Sequence, residues 1–229
     1  MRLCIPLLLA LLLTPLYGLS NEASTTASRA SSTNVTAETR ATVAARLREK
    51  AVIVGEFRQT RTDAKLPRPL QSSGHFVFWR GHGVHWATTS PLTQQTVYRP
   101  DTTWQMDDGP ASARELRSRS DDIFRSVLLD VLSFDEAKLA AEFQPQWQVS
   151  DNGSWQLNLI PMRGHLARAI ESVELHGDEN IERIEITDTR GGALLLEFHA
   201  QHSELAVTTD SCERLFLFSA QQCQSKLTP

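Results

Sequence analysis

The chain has 229 residues, 41% apolar, 22% charged and 7% aromatic, with 23 basic against 27 acidic side chains and a formal net charge of −4. That length holds one or two domains with a real core, which excludes wholesale disorder. The mild acidity supplies no general attraction to phosphate backbones, so nucleic acid is not an expected partner.

Arg2 precedes an apolar run from Leu3 to Leu13, followed by Thr14-Pro15-Leu16-Tyr17-Gly18-Leu19-Ser20. This is the anatomy of a signal peptide over residues 1–20, with an uncleaved membrane anchor as the alternative. Export leads to an oxidising compartment, where Cys212 and Cys223 read as a disulfide closing a short loop; two reduced thiols are the other reading. Residues 21–39 are rich in Ser, Thr and Ala and read as a flexible linker.

The pattern changes from about Ala37. Val43, Leu47 and Val52 fall near helical spacing between charged residues, which predicts a short amphipathic helix. Period-2 segments follow at Val52 to Arg61, Gly74 to Arg80, Val84 to Thr88, Gln95 to Arg99 and Thr103 to Met106, broken by Pro67, Pro69, Gly81, Gly83, Pro91, Pro100 and Gly109. No segment of crossover length lies between them, so the reading is an antiparallel meander. Ile123, Phe124, Val127, Leu128, Val131 and Leu132 then repeat at helical spacing after Asp121 and Asp122. A second helix is expected over Asp135 to Phe143, with Ser133 as N-cap and Glu136 at the capping-box position. Strands resume at Trp147 to Val149, Trp155 to Ile160, Ser172 to His176, Ile181 to Thr187 and Leu194 to Phe198. The total is about ten strands with two helical interruptions.

Catalytic motifs are weak. His82 and His85, and likewise His199 and His202, stand three apart, and residues three apart on a strand point to opposite faces, which argues against chelation. Asp107-Asp108 and Asp121-Asp122 read as a turn and a helix start. No cofactor, metal or enzymatic activity is expected. More informative is the apolar content of the strands. Phe57, Phe76, Phe78, Trp86, Trp104, Met106, Leu157, Leu159, Ile184, Ile186, Leu196 and Phe198 would line one face of a curved sheet, with Leu128, Val131 and Leu132 covering them. An ordinary packed core and a ligand cavity both fit, and periodicity does not separate them.

Phe57-Arg58-Gln59-Thr60, Ser73-Gly74-His75-Phe76, Arg80 six residues before Trp86, Ser90-Pro91, Thr96-Val97 and Trp104-Gln105-Met106-Asp107 follow one another in an order that resembles the outer-membrane lipoprotein carrier family, the LolA-like proteins of the Gram-negative periplasm. Leu66 to Gly74 and Leu159 to Ile170 look like a divergent branch found in clusters that make or export aryl-polyene or related lipids. The resemblance covers about Ala41 to Phe198. It implies an unclosed antiparallel β-barrel of about ten to eleven strands under a helical lid, over residues 40–200, with residues 201–229 as an extension. It further implies a monomeric periplasmic carrier that takes the acyl chains of lipoproteins or a related amphiphile from an inner-membrane donor to an outer-membrane acceptor. A lipid-sensing adaptor of the same fold is the alternative. Arg80 stands where the family has an arginine that ties the lid shut, although Gly81 replaces the proline that follows it there; the other reading of Arg80 is an exposed hairpin residue.

Overall fold

The computed structural model describes residues 36–107, 109–204 and 206–227, without the side chains of residues 119–121. The signal peptide and residues 21–35 of the expected linker lie outside the described residues.

Helix α1 (Ala37–Glu49) starts on Thr36, whose hydroxyl accepts a hydrogen bond from the Thr39 amide, so residues 37–39 are helical rather than linker. It buries Val43, Ala44 and Leu47. The meander follows as β1 (Val52–Thr62), β2 (Leu70–Trp79), β3 (Gly83–Ser90), β4 (Gln94–Tyr98), β5 (Thr103–Met106) and a three-residue β6 (Arg114–Leu116). After α2 (Arg119–Ser133) and α3 (Glu136–Glu142), the chain returns through β7 (Phe143–Val149), β8 (Trp155–Pro161), the short α4 (Gly164–Ala169), β9 (Ile170–Gly177), β10 (Ile181–Asp188) and β11 (Ala193–Glu204). Strand β11 pairs with β1, joining both meanders into one eleven-stranded antiparallel sheet in the order β6-β5-β4-β3-β2-β1-β11-β10-β9-β8-β7. The sheet is not closed, and β6 and β7 are its edges. Among the described residues no helix is long and apolar enough to cross a membrane.

Helix α3 is capped by Asp135, not Ser133. The Asp135 carboxylate accepts from the Ala137 and Lys138 amides at 3.1 and 3.3 Å, while Ser133 ends α2. Between the two helices Phe134 takes a left-handed conformation, φ 49°, where glycine is the usual residue. Its amide closes α2 on the Asp130 and Val131 carbonyls, and its buried ring packs edge-on against Trp147 and Trp155, which offsets the backbone cost.

Two apolar clusters lie on opposite faces of the sheet. The larger is on the inner face, beneath α1, α2 and α3. The smaller is on the outer face, where Val52 and Trp79 meet the C-terminal helices α5 (Thr209–Phe216) and α6 (Ala220–Leu227) through Phe216 and Phe218. Cys212 and Cys223 are bonded as a disulfide across α5 and α6, fully buried in this cluster. Arg99 fixes the turn between the helices, donating to the Leu217 carbonyl at 3.1 Å and lying over the Phe218 ring. For the 11-residue separation the loop-entropy relation gives about 3 kcal/mol. The double Cys→Ala variant should lose about that much in a denaturant titration under oxidising conditions, with the loss confined to the outer-face cluster in amide exchange; an unchanged midpoint would show that α5 and α6 are held without the bond.

His85 is buried on the outer face, its Nε2 3.0 Å from the Gln95 amide oxygen. Burial pushes its pKa down; the Gln95 bond partly opposes this and the Arg214 charge adds to it. Burial and then the Lys226 charge lower His82 as well. Because both groups protonate more readily in the unfolded chain, their contribution to stability is complete above the ordinary value of 6.5 and is lost as pH falls through their lowered values. Unfolding midpoints measured from pH 7.5 downward should therefore decline below about 6.5, and His85→Gln should flatten that decline. An equally steep decline in the variant would remove His85 from the explanation.

Candidate functional site

Strand register fixes which side chains share the inner face. Phe57 is paired with Gly74 and Phe198, Phe76 with Trp86, and Phe78 with Ile53 and Val84. Across the other half, Leu196 faces Ile184, Ile184 faces Leu175 and Leu175 faces Leu157; Ile186 and Leu159 both face Val173. Apart from Gly74, these residues join one cluster with Leu128, Val131 and Leu132 of α2, Ile53 packing against its edge. Glycines make the aromatic packing possible. A Cβ at Gly55 would lie 2.8 Å from the Phe76 ring, and one at Gly74 would lie 1.9 Å from the Ala87 carbonyl oxygen of the neighbouring strand; on the face they leave open, Phe57 and Trp86 meet with ring centroids 3.9 Å apart. Phe76 completes the group, its ring centre 5.1 Å from that of Phe198.

Trp104 and Met106 are not part of this face. Val97 pairs with Trp104 and with His85, and Gln95 pairs with Met106, so both residues point to the outer side. Met106 is fully buried there and Trp104 half-buried. The inward positions of β5 are Thr103 and Gln105, both buried. Alternation along β5 is visible in sequence, but its parity depends on the β4–β5 register, which is not.

Sequence reasoning missed α1 as part of the cover. Val43, Ala44 and Leu47 pack into the same cluster as α2, and Leu139 of α3, Phe143 and Trp155 extend it. The signal was the Val43–Leu47 stripe on a helix followed almost at once by an inner-sheet strand.

Arg80 occupies the β2–β3 turn and is not an exposed hairpin residue. Its guanidinium is half-buried and donates to four backbone carbonyls. Nε reaches Lys50 at 3.0 Å and Nη2 reaches Leu47 at 2.5 Å, both at the end of α1. Nη1 reaches Ser133 at 2.5 Å and Leu132 at 3.5 Å, at the end of α2. These are carbonyls that a helix cannot satisfy internally, and both helices direct the negative ends of their dipoles at one cation. The guanidinium also stands over the Phe78 ring, 5.3 Å from its centre. Burial, and then the neighbouring Arg48 charge, lowers its pKa, but an arginine so placed stays charged.

With α2 clasped, little space remains beneath it. A void of about 20 Å³, bounded by Leu47, Phe76, Phe78 and Leu132, is no larger than a water needs. A larger cavity, about 390 Å³, opens at the end of the sheet that carries the β1–β2, β3–β4 and β10–β11 hairpins. The large apolar side chains exposed among the described residues, Leu70, Leu92 and Met162, sit at this same end. Among the described residues no three metal-ligating side chains converge.

An open antiparallel sheet whose apolar inner face is covered by helices, with an arginine holding their C-terminal ends, is an unclosed half-barrel under a helical lid. The chain belongs to the LolA family: the family model described as "Outer membrane lipoprotein carrier protein LolA" matches residues 48–213. Among curated proteins no matching relative is found. Solved structures with similarity include a LolA-superfamily protein from Nitrosomonas europaea (10% identity, 75% of this chain and 96% of that one, TM-score 0.44) and a DUF1329-family protein from Desulfovibrio piger (9% identity, 75% and 94%, TM-score 0.42). The MucA/MucB complex of Pseudomonas aeruginosa is also similar, at 15% identity over 76% of this chain and 59% of that one, with a TM-score of 0.41.

Proposed function

We propose that this protein is a periplasmic carrier that shields acyl chains of a lipoprotein or a related amphiphile between an inner-membrane donor and an outer-membrane acceptor, without covalent chemistry. The observation that carries this reading is the continuous apolar inner face lying under a helix whose C-terminal end is held by the Arg80 clasp. Loading requires α2 to leave that face. Uncovering Val127, Leu128, Val131 and Leu132 costs roughly 1.5–3 kcal/mol for each. An acyl chain that takes their place recovers about 0.8 kcal/mol per methylene, so a chain of ~15 methylenes balances the exchange to within a few kcal/mol. A near-balanced exchange is what a carrier needs, since it must release what it binds. Phe57, Phe76, Phe78, Trp86, Leu157, Leu159, Ile184, Ile186 and Phe198 are the proposed lining, Leu128, Val131 and Leu132 the lid, and Arg80 the latch.

The test is a mass spectrum of lipid extracted from the protein purified from its native periplasm. The carrier reading expects a stoichiometric acyl species. Protein that is repeatedly lipid-free, and that takes up none from vesicles, would contradict it.

A further inference from the structure

The inner face changes character along its length. On β1 the inward positions run Phe57, Gln59, Arg61 toward the hairpin end, and on β10 they run Ile184, Ile186, Asp188. The cavity of about 390 Å³ lies at this transition. Phe124 of α2, Ile186 and Leu194 line its apolar part, and Arg61, Arg190 and Asp188 its rim. Asp188 places one carboxylate at this rim; its Oδ1 accepts from the Arg190 amide at 2.7 Å and the Gly192 amide at 3.1 Å, so two guanidinium groups stand against one carboxylate already engaged in its own turn. Among the described residues neither the Arg61 nor the Arg190 guanidinium has an ion-pair or hydrogen-bond partner. A chain with a net charge of −4 therefore places two guanidinium groups, unpaired among the described residues, at the mouth of a cavity that is polar at its rim and apolar toward α2.

We propose that this mouth is the headgroup site of the cargo, and that the favoured amphiphile carries a phosphate or carboxylate. This rests on the carrier reading and narrows its substrate class. Planar guanidinium groups donate pairs of hydrogen bonds to such anions, whereas a neutral glycerol or sugar head gains nothing from their charge. The gradient from Arg61 through Gln59 to Phe57 matches an amphiphile lying with its head at the rim and its chain inward, across Ile186 and Leu194 and on beneath α2. The cavity volume lies near the lower end of the ~300–1,000 Å³ common for small-ligand sites, enough for a head and the start of a chain but not for a whole lipid. The rest of the chain therefore needs the space that opens when α2 moves.

The experiment compares three probes on the mature protein: palmitoyl lysophosphatidate, monopalmitoylglycerol and inorganic phosphate. At low salt the lysophosphatidate should bind about tenfold more tightly than the monoacylglycerol, with the margin shrinking as salt is raised. Inorganic phosphate should compete only weakly. Arg61→Gln with Arg190→Gln should bring lysophosphatidate to the level of monoacylglycerol, and the double lysine variant should restore part of the margin. Both residues are exposed, so a thermal melt checks that the glutamine variant remains folded. Equal affinity for the two lipids would overturn the headgroup site and leave the carrier reading standing. Phosphate alone binding as tightly as the lysophosphatidate would mean a free-anion site and would also overturn it. Failure of both lipids to bind would overturn the headgroup site and the carrier reading together.

Discussion

Replacing Arg80 by leucine should lower the stability of the ligand-free protein and, at the same time, raise its apparent affinity for an acyl probe. The first effect follows from four carbonyls that lose a charged donor at the ends of α1 and α2. Hydrogen bonds to charged groups contribute about 1.5–3 kcal/mol each, and partial exposure and sharing of one guanidinium bring the sum to about 3 kcal/mol. For a chain of this size that corresponds to a melting temperature lower by roughly 6–12 °C. The second effect is specific to a latch. If ligand binds only when α2 has left the inner face, apparent affinity scales with the population of the open state. The two bonds to α2 supply about half of that sum, and losing about 1.5 kcal/mol raises that population roughly tenfold. Arg80→Lys should fall between, because a single ammonium reaches fewer of the converging carbonyls. A variant with a lower melting temperature and unchanged or weaker probe binding would reduce Arg80 to a structural residue.

Shortening Phe78 to alanine should give the largest change on the sheet side. The ring is buried between the end of α2 and the Arg80 guanidinium, and loss of a buried phenyl group costs about 3–5 kcal/mol. In an ordinary core that deficit is permanent. On a face that accepts acyl chains, a saturating ligand occupies the new space, so calorimetry should show a larger ligand-induced rise in melting temperature for Phe78→Ala than for the wild type. Equal rises would place Phe78 outside the part of the face that ligand contacts.

Much of the fold could be read in the sequence because the physics that sets it is local. Alternation, turn residues and the spacing from Ile123 to Leu132 locate ten of the strands and α2 with its covering residues Leu128, Val131 and Leu132, and the family motifs add the unclosed barrel. What escaped depends on pairing. Alternation groups Trp104 and Met106 with the inner aromatics because β5 is apolar on one parity, yet the face that parity meets is set by Val97 opposite Trp104. Strand β6 is three residues long and too short to show alternation. Helices α5 and α6 lie in the segment the sequence marks only as an extension with a disulfide, although Phe76-Val77-Phe78-Trp79, apolar on both parities, signals a strand covered on both sides; Trp79 is covered by Phe216 and Phe218. The identity of Arg80's partners was out of reach for the same reason. The carbonyls of Leu47, Lys50, Leu132 and Ser133 carry no sequence signal of their own and meet only when two helix ends are packed together.

A carrier of this design admits an acyl chain only when α2 leaves the inner face. Amide hydrogen exchange with and without a saturating acyl ligand tests that directly. Amides of the segment from Ile123 to Leu132 should exchange faster when ligand is bound, while those of β8 and β9 around Leu157 and Leu175 keep their protection. Bound ligand that leaves the α2 amides unchanged, or slows them, would contradict α2 as the lid.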